Sequence, residues 1–376
     1  MSFKVLLKKD WKQVSILWML LVVLSVIVFT VPAWTQLEDF NREIENIRAN
    51  PSSFEGVPLD ASNLPNRWFF ESGDSVGMLY NGLMSLIPMG MVIFLYVVFG
   101  LLMASVLIGG ERNSQMSDFS MSLPFTRTQL YISKWLIGAS GFVVATLLGG
   151  PLLMAIIHLS DFSFLIQPKD LEVSIMILFM MLTGISVFSI SLWMGSFGGE
   201  SISQALWSFV ALLFPIGIVT LIEGSLYTFE RFVDVSYSLT QMWMESIPLR
   251  VISPLANVFN IDTYDIFRSN GLWEDFVTVA PLSALASIVI SFGLGLWAFN
   301  RAPQENNGRF FMFSNWLWLV HLVMVLTFGM LGGILLSAVT FSPNMVLYII
   351  GFVLGGFIAH LLAKRLLYRF NLKLKS

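Results

Sequence analysis

The chain has 376 residues, of which 56% are hydrophobic and only 12% charged, against roughly 25% charged in a soluble domain. A mean hydropathy of +0.76, with the apolar residues gathered in long blocks, describes a polytopic membrane protein. The net charge of −3 gives no basis for nucleic-acid binding, and the absence of cysteine excludes disulfides and thiolate chemistry.

Residues 2–12, SFKVLLKKDWK, read as a short amphipathic elbow helix on the inner surface. Phe3, Leu6, Leu7 and Trp11 share one face, while Lys4, Lys8 and Lys12 recur every fourth residue on another. The apolar run from Val14 to Val31 is too long for a signal-peptide core and lacks a small-x-small cleavage site, so it reads as a retained first span. The outside loop 35–77 opens on TQLE, where Thr35 as N-cap and Glu38 at N3 predict the start of a new helix. Beyond Pro51 its composition is that of a loop.

A span needs about 20 largely apolar residues. Eight stretches qualify: 14–34, about 82–108, 135–157, 173–196, 202–222, 277–299, 316–338 and 345–363. Pro88 separates a turn from the second span proper, and Pro215 predicts a kink in the fifth. Gly138, Gly141, Ala145 and Gly149 in span three, Gly329, Gly332 and Gly333 in span seven, and the Gly351/Gly355 GxxxG in span eight let helix backbones approach closely. They fit packing within the chain or a dimer seam. The outside segment 224–277 is long and acidic, and Met242, Trp243, Ile247 and Leu249 mark short re-entrant helices within it.

With the N-terminus inside, cytoplasmic segments hold 14 of the 21 Lys and Arg residues, so both termini are expected to be cytoplasmic. No Asp, Glu, Lys or Arg falls within the eight spans away from their ends. Intramembrane charges mark proton relays and ion-coupled transport, so the energy for any work is expected from elsewhere.

The segment 110–134 is a polar hairpin between spans two and three. Glu111 and Arg112 follow the second span, and Asn113 or Ser114 caps a short helix with Met116, Phe119 and Leu123 on one face. Pro124 ends that helix. Thr126 then caps the next, with Gln129 at N3 completing a capping box and Phe125 and Leu130 placed as a hydrophobic staple. This second helix runs through Lys134 and Trp135 into span three. A structured hairpin with an apolar stripe suits docking into a groove on a soluble partner, although an ordinary inter-helix turn has the same ingredients.

The order of these elements resembles the intracellular loop of ABC-2 type transporter permeases. There, a Glu-Arg pair, a short coupling helix and an S-L-P-x-[ST]-R segment followed by a Lys join spans two and three. Here those are Glu111-Arg112, the helix 114–122, Ser122 through Arg127, and Lys134. The resemblance implies an all-α, type-2 ABC exporter-like six-helix core over residues 1–300, comprising the elbow helix 2–12, the outside loop 35–77, the coupling hairpin 110–134 and the outside loop 224–277. Residues 301–376 add two transmembrane helices and a basic tail. It further implies that Glu111, Arg112, Met116, Phe119, Leu123, Pro124, Thr126, Arg127 and Lys134 couple the chain to ATP-binding cassette subunits, beside a second permease, in a bacterial plasma membrane. No GxxxxGK[ST] occurs, so no cofactor is expected in this chain, and ATP and Mg²⁺ would be held by the partner. The uncharged spans, rich in Phe and Met, point to export of an apolar or amphipathic cargo such as a lipid, a peptide or an antibiotic.

A membrane sensor or scaffold that binds an envelope component through its outer loops is the alternative reading. An intramembrane enzyme has little to support it. His158, His321 and His360 form no HExxH.

Overall fold

A computed structural model describes residues 3–49, 86–114, 124–163, 170–229, 242–243, 246–259, 270–303, 310–340 and 344–368. Eight helices among them are long and apolar enough to cross a membrane, and no strand occurs among the described residues.

The first of these helices is longer than the sequence predicts. Helix α1, Phe3–Ala49, runs unbroken for 47 residues, roughly 70 Å at the α-helical rise. The elbow 2–12 is therefore not a separate helix, and no helix begins at Thr35. The Thr35 hydroxyl donates 2.9 Å back to the Pro32 carbonyl, and Trp34 Nε1 donates 2.9 Å to Glu38. A T-x-x-E string has the same letters inside a helix as at its start, and only the backbone separates the two cases. One stripe of α1 is buried from end to end, through Leu6, Val14, Leu21, Phe29, Leu37, Phe40 and Ile44. Most of the loop 35–77 lies outside the described residues.

Helix α2, Met89–Asn113, begins directly after Pro88, as that proline predicts. Helix α3, Arg127–His158, starts at the expected cap: Thr126 accepts from the Gln129 N–H, and the Gln129 side chain accepts in return from the Thr126 N–H. Thr126→Ala is expected to cost about 1 kcal/mol, readable as a lowered thermal midpoint of the purified protein. The His158 imidazole, at the end of α3, meets Asp170 at the start of helix α4, Asp170–Gly195, at 3.1 Å, a pairing that no short motif announces.

Helix α4 is the most buried span and packs against α2, α3 and the helices that follow it. Gly100 of α2 lies against Val187 and Phe188, and Gly184 lies against Tyr96 and Phe142. The small residues of α3 divide between two neighbours, with Gly141 and Gly149 facing Trp18 and Phe29 of α1 and Gly138 facing Phe188 of α4. In α3, then, they serve packing within the chain. Helix α5, Ser201–Thr228, contains Pro215 without interruption.

The segment between α5 and the next long helix enters the protein. Two short helices, α6 (Ile247–Ile252) and α7 (Pro254–Phe259), pack on α5 and on helix α8, Asn270–Arg301. Leu249 is buried, while Met242, Trp243 and Ile247 are exposed. Ser253 Oγ between them donates 3.0 Å to the carbonyl of Leu212, midway along α5, and Asn257 Nδ2 donates 3.0 Å to Ser283 of α8. Non-helical backbone at this depth is tolerated because protein groups satisfy it.

Helices α9 (Leu317–Ala338) and α10 (Met345–Ala363) form a hairpin. A Cβ on Gly332 would stand 2.6 Å from the Gly351 carbonyl oxygen, so both glycine motifs are consumed in joining these two helices. The hairpin leans on α5, and the segment leading into α9 leans on the α4–α5 turn. Tyr348 donates 2.7 Å to Ser225, the Met312 N–H donates 2.8 Å to the Phe197 carbonyl, and the Phe311 ring stacks on Phe197 at 5.9 Å.

Candidate coupling site

The last stretch of α2, Ser105–Gly110, is a π-helix. Widening the turn removes carbonyls from the i→i−4 ladder, and these must find other donors. Side chains of three helices supply them. Gln204 of α5 donates 2.8 Å to the Ala104 carbonyl, Gln13 of α1 donates 2.6 Å to Val106, and Lys134 of α3 donates 2.7 Å to Leu107. Gly109 is pressed against the backbone of Ser201, where any side chain would collide, and Ser105 Oγ donates 3.0 Å to the Ser201 carbonyl. The π-turn is thus the point where α1, α3 and α5 converge on α2.

Directly after it, four charges close into a neutral cluster. Glu111 binds Lys9 at 2.6 Å and Lys134 at 2.8 Å. Asp10 lies 3.5 Å from Lys134 and 3.6 Å from Lys9 and accepts 2.5 Å from Ser133. Asp10 is 0% exposed, Lys134 2% and Glu111 6%. Buried charge at this level persists only when paired and hydrogen-bonded, and two cations facing two anions meet that condition.

The remaining predicted residues fall around this cluster. Arg112 Nη1 donates to the carbonyls of Gly195 and Gly198, in the turn from α4 to α5. Arg127 Nη1 donates 2.9 Å to Asn300 and 3.3 Å to Ala302, satisfying carbonyls that the end of α8 leaves open. Thr126 caps α3, and Pro124 is exposed. Met116, Phe119 and Leu123, with the rest of the predicted coupling helix, lie outside the described residues. Asn113 and Ser114 begin no helix in the described part: Ser114 is the C-cap of α2's final turn, and Asn113 Oδ1 accepts 3.3 Å from the Ser201 N–H at the start of α5.

Glu111 and Lys134, both expected among the residues that couple to a partner, face inward and pair with each other. Their partners Lys9 and Asp10 were not expected. A signal for Asp10 was present: it continues the apolar row Phe3, Leu6, Val14 at helical spacing, where a carboxylate requires a buried cation. Gln13, Ser133 and Gln204 carried no comparable mark.

The chain matches the family described as ABC-2 family transporter protein over residues 5–303. It is 25% identical over 236 residues to the probable ABC transporter permease YtrC of Bacillus subtilis (strain 168), covering 62% of this chain and 66% of that relative, just under two thirds of its length. It is 24% identical over 283 residues to the probable ABC transporter permease YtrD of the same organism, covering 74% of this chain and 78% of the relative. No solved structure matches the chain.

Proposed function

This chain belongs to the ABC-2 family of transporter proteins and is a multi-pass membrane permease subunit; from that premise we propose that it exports an apolar or amphipathic cargo, using ATP hydrolysed by separate subunits. The observation that carries the coupling reading is the neutral cluster Lys9, Asp10, Glu111 and Lys134, which bolts α1, α2 and α3 together at the base of the 110–134 hairpin. A push on the hairpin tip then moves three helices as one body. Arg112 carries the displacement into the α4–α5 turn and so to α5.

The tip, residues 115–123 with the Met116, Phe119 and Leu123 stripe of the sequence, is the part proposed to enter a groove on the ATP-binding subunit. Glu111, Arg112, Arg127 and Lys134 hold its base, and Thr126 and Pro124 set the exit of the chain into α3. Closure of two ATP-bound subunits on a permease pair would tilt α1, α2 and α5 between two states biased by nucleotide. In this scheme ATP and Mg²⁺ belong to the partner. The membrane interior supports an uncharged cargo: its buried polar groups are hydroxyls and amides such as Thr146, Thr183, Ser186 and Gln204.

Phe119→Asp tests the scheme. The variant is expected to insert normally but to lose co-purification with an ATP-binding cassette subunit and permease-dependent stimulation of its ATPase. Unchanged coupling would remove the hairpin from the mechanism. Isolation of the wild-type chain from native membranes without any ATPase would favour a sensor or scaffold over a transporter.

A further inference from the structure

The α9–α10 hairpin lies beyond the family match and carries a feature that the transport scheme does not use. His321, near the start of α9, and His360, near the end of α10, approach to 3.0 Å between Nε2 and Nδ1. The chain has only three histidines, and the fold brings two of them together from 39 positions apart. Their ring centroids are 4.8 Å apart with planes inclined by 44°. We infer that this pair is a binding site for a divalent transition metal, with Cu²⁺ and Ni²⁺ favoured.

The distance argues for those ions. Two imidazole nitrogens each about 2.0–2.1 Å from one metal and 3.0 Å from each other subtend about 95° at the ion. That is the cis angle of tetragonal or square-planar coordination, which Cu²⁺ and Ni²⁺ prefer. A tetrahedral zinc site would need about 3.3 Å between the nitrogens. The two ligands are also held in place. The Gly332 and Gly351 backbones are in direct contact, which fixes the spacing of α9 and α10 and with it the spacing of the rings. His321 lies about one turn inside the start of α9 and His360 about one turn from the end of α10, so the pair sits near the helix ends, where an ion can enter. The donors are imidazole nitrogens, which suit transition metals and not hard cations such as Mg²⁺, and Lys364 follows one turn after His360 on the same chain segment. Its positive charge moderates affinity for any divalent ion. A bound ion would staple the two helices at the end where the chain enters α9 and leaves α10.

The experiment uses the intact permease in detergent, purified without a histidine tag, and equilibrium dialysis against Cu²⁺ or Ni²⁺ with electron paramagnetic resonance of the copper form. One ion per chain with nitrogen hyperfine coupling from two imidazoles is expected. His321→Ala and His360→Ala should each weaken binding by at least the roughly tenfold that loss of an outer-shell partner costs. His158→Ala, which alters the third histidine at the end of α3, should leave binding unchanged. His360→Asn keeps a hydrogen-bonding side chain beside His321, and it should melt like the wild type without metal yet lose the copper signal. Absence of uptake by the wild type, or equal uptake by the His321 and His360 variants, would overturn the proposal and leave the pair as a hydrogen bond between helices.

Discussion

Lys134→Met is expected to be among the most damaging single substitutions in this protein, lowering stability by about 3–5 kcal/mol. Lys134 is 2% exposed and lies 2.8 Å from Glu111 and 3.5 Å from Asp10. Removing it leaves two buried carboxylates sharing Lys9 alone, and an uncompensated buried charge is costly where an apolar replacement of a whole pair is not. The double variant Asp10→Asn/Lys134→Met makes this specific. It deletes one charge of each sign and retains the 2.6 Å Lys9–Glu111 pair, while an asparagine oxygen can still accept from Ser133. Stability should recover to within about 1 kcal/mol of wild type, the remainder being the Leu107 carbonyl that Lys134 no longer serves. Thermal unfolding in detergent, followed for the wild type, both single variants and the double, reads the coupling directly. Additive losses in the double variant would show that the four charges do not act as a cluster. The same series read by ATPase stimulation should fall in parallel, since the cluster is proposed as the base through which the hairpin moves α1, α2 and α3.

Gly332→Val is expected to detach the α9–α10 hairpin while sparing the six-span core. The added Cβ would lie 2.6 Å from the Gly351 carbonyl oxygen and 3.1 Å from the Gly355 Cα, and both obstacles are backbone, which cannot rotate aside. Overpacking of this kind costs about 1–3 kcal/mol where side chains can adjust, and more is expected here. The hairpin's main partner is α5, through Tyr348 and Ser225, while the residues leading into α9 stack on the α4–α5 turn through Phe311 and Phe197. Loss of the α9–α10 contact should therefore speed tryptic cleavage at Lys364 and Arg365, in the π-turn that ends α10, and leave cleavage within α1 to α8 unchanged. Gly332→Ala should be intermediate. A valine variant as resistant as the wild type would contradict the close backbone approach.

The eight spans were readable because each is a local property: about 20 apolar residues suffice to place a helix in hydrocarbon, whatever its neighbours. The start of α3 was readable for the same reason, since Thr126 and Gln129 satisfy each other's backbone within one turn. The identical logic failed at Thr35, where α1 continues and the hydroxyl turns back to Pro32. A capping signature reports that a helix can begin, and continuation of the preceding helix overrides it. The pairing of Asp10 with Lys134 was not legible, because the two residues stand far apart in sequence on different helices and meet only at the π-turn of α2.

Sequence alone determined the number of spans, the fold class, the cap of α3 and the family. All of these follow from short-range hydrophobicity, local hydrogen bonding or motif order. Tertiary structure decided what the charged residues of the hairpin do. Glu111, Arg112, Arg127 and Lys134 looked like a surface ready for a partner, yet each is directed to a group on another helix. The reason is physical: backbone carbonyls freed at the π-turn and at helix ends must be satisfied, and charges drawn from water must be paired. Only the converging helices determine which side chain meets that need.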